Sequence, residues 1–208
     1  MNATDVEGKY ISYFNKELGI NYIYYNGDFY QGSLKNVNGH LIPSGNRIAT
    51  SDLPNSHAYR TLTALRKMDN SSNEIVKKVF DTLSNLDSGI MHRINGRTDK
   101  KSHTTATGGQ TSVTYLNFND VDNVDIYRGD FKDVGLTDYE LVGHELKHAY
   151  DIEFYKNKQE TDKRGIKFTE YETVNFENLI RKEEGNPLRT KYTFEIPSDI
   201  WGKVTIWN

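Results

Sequence analysis

The sequence predicts an α+β fold, and three observations carry that expectation. Runs rich in Tyr, Phe and Ile flank Asn26-Gly27, as in a β-hairpin. Further along, several segments repeat apolar residues at helical spacing. Helices and hairpins are mixed without the βαβ rhythm that a parallel sheet requires. A chain of 208 residues with 36% hydrophobic content can bury one sizeable core, so residues 1–208 are read as one domain.

Residues 9–31 form the aromatic hairpin region, and residues 33–55, punctuated by Gly39, Pro43, Gly45 and Pro54, read as loop. Two helices follow. The first covers about 56–68, with Ala58, Leu62 and Leu65 on one face. The second covers about 73–87, with Ile75, Val79, Phe80, Leu83 and Leu86 on one face. Ser71 or Ser72 is the expected cap of the second, which ends before Gly89. Residues 95–110, polar and rich in Gly and Thr, read as a mobile loop. Val113, Tyr115, Leu116 and Phe118 predict a strand, and 124–127 another short one.

Thr137 followed by Glu140 is a capping box, so a helix should begin at Asp138. Leu141, His144, Glu145, His148 and Ile152 then keep helical spacing, flanked by an apolar strip of Val142, Leu146 and Ala149. Gly143 sits inside this helix at a cost of about 1 kcal/mol relative to Ala. Either its missing side chain admits a close neighbour or it is incidental. A charged linker over 156–167, a helix over about 169–184 and a β-like tail over 191–207 complete the chain.

The net charge of −3, with basic residues scattered rather than striped, argues against nucleic acid as a partner. No apolar run approaches the roughly 18 residues that cross a bilayer. The N-terminal stretch lacks a signal peptide's charged and apolar regions. A protein exported by a dedicated secretion machine, or cut from a larger toxin, would also lack these regions. With no cysteine, disulfides, thiolate metal sites and cysteine nucleophiles are all excluded.

Residues 144–148 read His-Glu-Leu-Lys-His, an HExxH motif on the predicted helix. Positions i and i+4 stand on one helical face, so His144 and His148 can offer their imidazoles to a single zinc ion. Glu145, beside the first ligand, is placed to act as general base toward a water at the metal. The bland alternative is a solvated helix that happens to carry two histidines. A catalytic zinc usually takes three protein ligands. His40, His57, His92 and His103 lie far upstream and read as surface or packing histidines, and position 154, where a metzincin would place a third His, is Phe. Carboxylates are the better candidates. Asp151 is one turn past His148 and more easily orients an imidazole than binds metal. Glu170 and Glu177 share a face of the next helix with Val174 and Arg181, while Glu172 points elsewhere. One of the pair can ligate zinc while the other orients a ligand, or both can belong to an exposed charged face.

HELKHAYD at 144–151, EYETV at 170–174, ENLIRKEEGNPLR at 177–189 and Tyr192 together resemble the NleD-like effector metalloproteases. These are zincins that bacteria deliver into other cells, with related domains at the C-termini of polymorphic toxins. The likeness runs from about 136 to 192 and is most specific in the stretch behind the HExxH motif. The same residues are similar to the site of clostridial neurotoxin light chains. There the third zinc ligand is a Glu three residues before a Thr, as Glu170 stands before Thr173. An Arg-x-x-Tyr pair that stabilises the transition state in those toxins is matched by Arg189 and Tyr192. Val174-Asn175 departs from the Phe-Gly that follows the Thr there.

The resemblance implies a zincin-like fold of gluzincin type, with 111–192 as catalytic core and 1–110 as a less defined N-terminal part. It implies one Zn2+ per chain held by His144, His148 and Glu170. Glu145, Arg189 and Tyr192 would be catalytic, with Asp151 and Glu177 orienting ligands. The expected activity is endopeptidase action on a protein in a host or competitor cell, by a monomer secreted or injected from a bacterium. Two competing expectations are a catalytically silent zincin-fold binding module and a zinc amidase acting on cell-wall peptide. Glu145 argues against the silent module, because a purely structural site has no use for a general base.

Overall fold

The structure, a computed structural model, describes residues 10–16, 18–53, 56–85, 91–108, 111–123, 134–154 and 169–190, together with the backbone of 168, 191–195 and 203–207. It is a mixed α+β fold built on a six-stranded sheet. The N-terminal strands are β1 (Tyr10–Asn15), β2 (Ile20–Tyr25) and β3 (Asp28–Gln31), and they pair as an antiparallel meander. Asn26 and Gly27 both have positive φ, 47° and 80°, which is the hairpin turn that Asn-Gly favours.

Residues 33–55 are not simply loop. They contain a second hairpin, β4 (Leu34–Val37) and β5 (His40–Pro43), and a 3-10 turn at Thr50–Asp52. Asn38 and Gly39 turn it with φ of 54° and 91°. The turn signal was thus the same as at Asn26-Gly27. It is masked because β4 is largely exposed and carries no apolar alternation.

Helix α1 (His57–Asp69) is capped by Ser56, whose hydroxyl accepts from the Tyr59 amide at 3.3 Å. Helix α2 (Glu74–Ser84) is capped by Asn73 rather than Ser71 or Ser72. Those serines are engaged elsewhere, donating to the Glu183 carboxylate. After α2 the chain returns as β6 (Met91–Gly96), which pairs parallel to β1. Strand β8 (Thr111–Leu116) then lies parallel to β6, and β7 (His103–Gly108) closes the edge antiparallel to β8. The strand order is β3-β2-β1-β6-β8-β7, so the sheet is mixed and not purely antiparallel. The crossover from β1 to β6 carries three hairpin turns and two helices, which is why no simple βαβ rhythm is visible in the sequence.

Strand β7 corrects the expectation of a loop over 95–110. Its residues are mostly exposed because it is an edge strand, and polar Thr suits such a strand as well as it suits a loop. The short helix α3 (Asn119–Asp122) follows. The expected strand at 124–127 and the linker at 156–167 lie outside the described residues.

Helix α4 (Asp138–Phe154) packs on α1 and α2, on β7 and β8, and on α5 (Phe168–Glu184). The tail forms a two-stranded sheet of β9 (Lys191–Glu195) and β10 (Lys203–Trp207). One apolar cluster runs from Ile11 and Phe29 through Leu62, Leu65, Val79 and Leu83 to Leu141, Leu146 and Ile180. The N-terminal strands and the two long C-terminal helices therefore share a core. Among the described residues, no helix is long and apolar enough to cross a membrane.

Candidate metal centre

The capping box is present in both directions. Thr137 Oγ1 accepts from the Glu140 amide at 3.2 Å, and Glu140 Oε2 accepts from the Thr137 amide at 2.8 Å. This sets the start of α4 and hence the phase in which the helix presents its residues. His144, Glu145, Leu146 and Ala149 are buried, and His148 is half-buried. Gly143 has a tertiary reason, because a Cβ there would overlap Cδ1 of Ile180 on α5. The glycine lets the two helices approach, and that approach brings the carboxylates of α5 to the histidines of α4.

Among the described residues, His144, His148 and Glu170 form the group of His and carboxylate side chains suited to one metal ion, their ligand atoms lying within 4.8 Å of one another. The imidazoles stand 4.9 Å apart at 77°. Glu170 Oε2 lies 3.4 Å from His148 Nε2. Burial works against a charged His148, yet the Glu170 carboxylate, with Glu145 and Asp151 nearby, holds its pKa above the ordinary value. A site whose carboxylates draw a proton onto an imidazole is one whose negative charge a dication can neutralise. Two imidazoles and a carboxylate are also a zinc donor set. The residues fit the ion.

Each histidine is held through its other nitrogen. His144 Nδ1 lies 3.0 Å from Glu177 Oε2, and His148 Nδ1 lies 3.4 Å from Thr173 Oγ1. These bonds leave both Nε2 atoms for a metal. Glu177 is wholly buried and itself clamped, accepting from Arg181 Nε at 2.8 Å and Arg189 Nη1 at 2.9 Å. Burial alone would raise its pKa. The His144 hydrogen bond and the Arg189 and Arg181 charges outweigh burial and hold the carboxyl well below the usual carboxylate range. Arg181 also reaches Glu140 Oε2 at 3.2 Å and the Gly135 carbonyl at 2.9 Å, joining the start of α4 to the site.

The structure brings Glu145 to the same place. Its Oε2 accepts from Thr104 Oγ1 of β7 at 3.0 Å. Asp151 is turned to Lys147 instead of an imidazole: both its oxygens accept from Lys147 Nζ at 2.6 Å. Arg189 is buried against Glu177, fixed by Asn178, which accepts from the Arg189 amide at 2.7 Å and donates to its carbonyl at 2.9 Å. Tyr192 belongs to β9 and pairs with Ile206, but its side chain lies outside the described residues. His40 and His103 are exposed, His57 stacks on Phe118 at 5.4 Å, and His92 is buried against Glu153.

Sequence reasoning missed Thr104, Arg181 and Asn178 as parts of this centre. Arg181, one turn past Glu177 and on the same face, could have been found from helical phase, whereas Asn178, one residue on, points to a different face and could not. Thr104 could not, since nothing local links β7 to α4. Comparison with protein-family models, with curated proteins and with solved structures finds no match to this chain.

Proposed function

We propose that this chain is a zinc-dependent metalloendopeptidase with a zincin-like fold of gluzincin type, close in kind to the NleD-like effectors, and that it cleaves a protein inside a target cell. The observation that carries the reading is the convergence of His144, His148 and Glu170 from two helices with Glu145 beside them. A general base next to a His2Glu donor set is the arrangement that hydrolysis needs and that a structural zinc does not.

Zinc, when bound, supplies a Lewis acid that makes water nucleophilic near neutral pH and polarises a carbonyl. His144, His148 and Glu170 would hold it. Glu145 takes the proton from the attacking water and returns it to the leaving amine. Glu177 keeps the His144 ring in the tautomer and orientation that ligation requires, and Arg181 and Arg189 keep Glu177 charged and still. Arg189 thus acts through Glu177 in this state, and Tyr192 remains the candidate donor to the oxyanion.

The test compares wild type with Glu145→Gln. The variant should fold and keep about one zinc per chain. It should lose at least the 10²–10⁴-fold that general base action supplies. Delivery of both proteins into target cells, followed by a proteomic search for new termini, reads out the difference. Equal cleavage by a zinc-loaded Glu145→Gln protein would return the chain to the silent binding module. Cleavage of cell-wall peptide but of no protein would make it an amidase.

A further inference from the structure

His92, wholly buried on β6, takes no part in the proposed metal centre, yet it is joined to it. Its Nδ1 lies 3.0 Å from Glu153 Oε1, and its Nε2 lies 3.2 Å from Thr114 Oγ1. Thr114 Oγ1 is 2.9 Å from Thr104 Oγ1. Thr104 Oγ1 in turn is 3.0 Å from Glu145 Oε2 and 2.9 Å from the Glu145 carbonyl. An unbroken run of hydrogen bonds therefore links two carboxylates of α4, Glu145 and Glu153, through three strands of the sheet. Both side chains of the His92–Glu153 pair are shut off from solvent.

The direction of these bonds follows from counting protons. A threonine hydroxyl has one to give. Ionised Glu145 and its carbonyl can only accept, so a Thr104 hydroxyl turned toward Thr114 would leave lone pairs facing both of them. Thr104 therefore donates to Glu145, Thr114 donates to Thr104, and His92 donates from Nε2 to Thr114. At the other end Glu153 Oε1 accepts from the Ser112 amide at 2.9 Å and from Ser112 Oγ at 2.6 Å. Nδ1 of His92 faces that oxygen at 3.0 Å and Ser112 Oγ at 3.4 Å, so Ser112 and Glu153 together hold the ring in place.

We propose that Thr104 and Thr114 are positioning residues for Glu145, and that the buried His92–Glu153 pair anchors the far end of the hydrogen bonds running through them. The relay rests on reading Glu145 as the general base. It engages Oε2 and leaves Oε1 as the oxygen that meets the water proton. Bonds of this kind in a buried, low-dielectric setting polarise one another, and an unmade one is costly.

Nitrogen-15 NMR of the histidine rings in the zinc-loaded full chain tests the relay without reference to activity. His92 Nε2 should carry a proton. Glu145→Gln should shift the His92 signals, Thr104→Val should abolish that shift, and Thr104→Ser should keep it. Thr114→Val, isosteric and at the middle of the run, serves the same purpose if Thr104→Val fails to fold. A bare Nε2, or a Glu145→Gln effect that survives Thr104→Val, would overturn the relay. In peptide cleavage, Thr104→Val and Thr114→Val should each lower kcat roughly 10-fold with KM unchanged, Thr104→Ser should recover it, and the double variant should be no worse than either single one. Unchanged kcat in both Val variants overturns the positioning role. A zinc-loaded wild type that cleaves nothing, while the NMR coupling holds, sinks the peptidase reading and leaves the relay standing.

Discussion

Glu177 and Glu170 sit on one face of α5 and differ in what surrounds them. Glu177 is enclosed, with two guanidiniums and the Nδ1 of His144 taking its oxygens. Glu170, at the start of the same helix, faces the Nε2 of His148. Two carboxylates of equal intrinsic affinity are thereby given different work. Removing a ligand and removing its support should differ in size. Glu170→Ala should abolish tight zinc binding, whereas Glu177→Gln should weaken it by roughly 10–100-fold. Zinc titration of the two variants checks the order, and a Glu170→Ala protein that binds like wild type would refute the assignment. Arg189→Ala should follow Glu177→Gln, because it strips a counter-charge from a buried carboxylate. If instead it lowers kcat with zinc affinity intact, Arg189 acts on substrate directly.

The pairing of α4 with α5 is the element on which the site depends, and Gly143 faces Ile180 across it. Helix propensity alone says that Gly143→Ala should stabilise α4 by about 1 kcal/mol. The new methyl would meet Cδ1 of Ile180, a fully buried side chain that would have to turn within the packed core. Overpacking of this kind costs about 1–3 kcal/mol, so net destabilisation is expected. Denaturant unfolding measures it, and Ile180→Val combined with Gly143→Ala should recover part of the loss. Stability unchanged or raised in Gly143→Ala would mean that the helices are not in this contact. The shift should also weaken zinc binding, because the ligands come from both helices.

At the scale of the whole molecule, Glu183 near the end of α5 ties three parts together. It accepts from Ser71 and Ser72 between α1 and α2, and from the Tyr139 hydroxyl of α4 at 3.1 Å. Burial would raise its pKa, but the hydrogen bonds from Ser71 and Ser72 outweigh it and hold the carboxyl below its ordinary value. A lowered folded-state pKa means that this contribution is present above the unfolded value of 4.5 and is lost as pH falls through the folded one. Glu183→Gln should therefore be less stable near neutrality and show a shallower fall in stability on acidification. With solvent screening, about 1 kcal/mol is the expected size. Thermal melts at several pH values decide it, and parallel pH curves for the two proteins would exclude the linkage. Zinc bound at the proposed site would act on the same global equilibrium. Hundredfold excess over its dissociation constant adds about 2.7 kcal/mol, so a chelator should lower Tm in wild type and leave His144→Ala unaffected.

Local chemistry was enough to read α4 and the helices α1 and α2. The Thr137–Glu140 box gives the start of α4, and the phase that follows puts His144 and His148 on one face whatever surrounds them. The hairpin at Asn26-Gly27 is equally local, since only a few residue types tolerate its positive φ. Strand β7 and the hairpin at Asn38-Gly39 were not legible as strands, because exposed edge positions carry no apolar alternation. The parallel pairing of β6 with β1 and β8 depends on contacts far apart in the chain, and no local pattern encodes them. The choice between Glu170 and Glu177 was open for the same reason: helical phase puts both on one face, and only the packing of α5 on α4 gives Glu177 to His144 Nδ1 and Glu170 to His148 Nε2. Residue spacing along a helix determines which side chains share a face. What those side chains meet across the interface is decided by tertiary packing, through a glycine that lets two helices close and a threonine delivered by a distant strand.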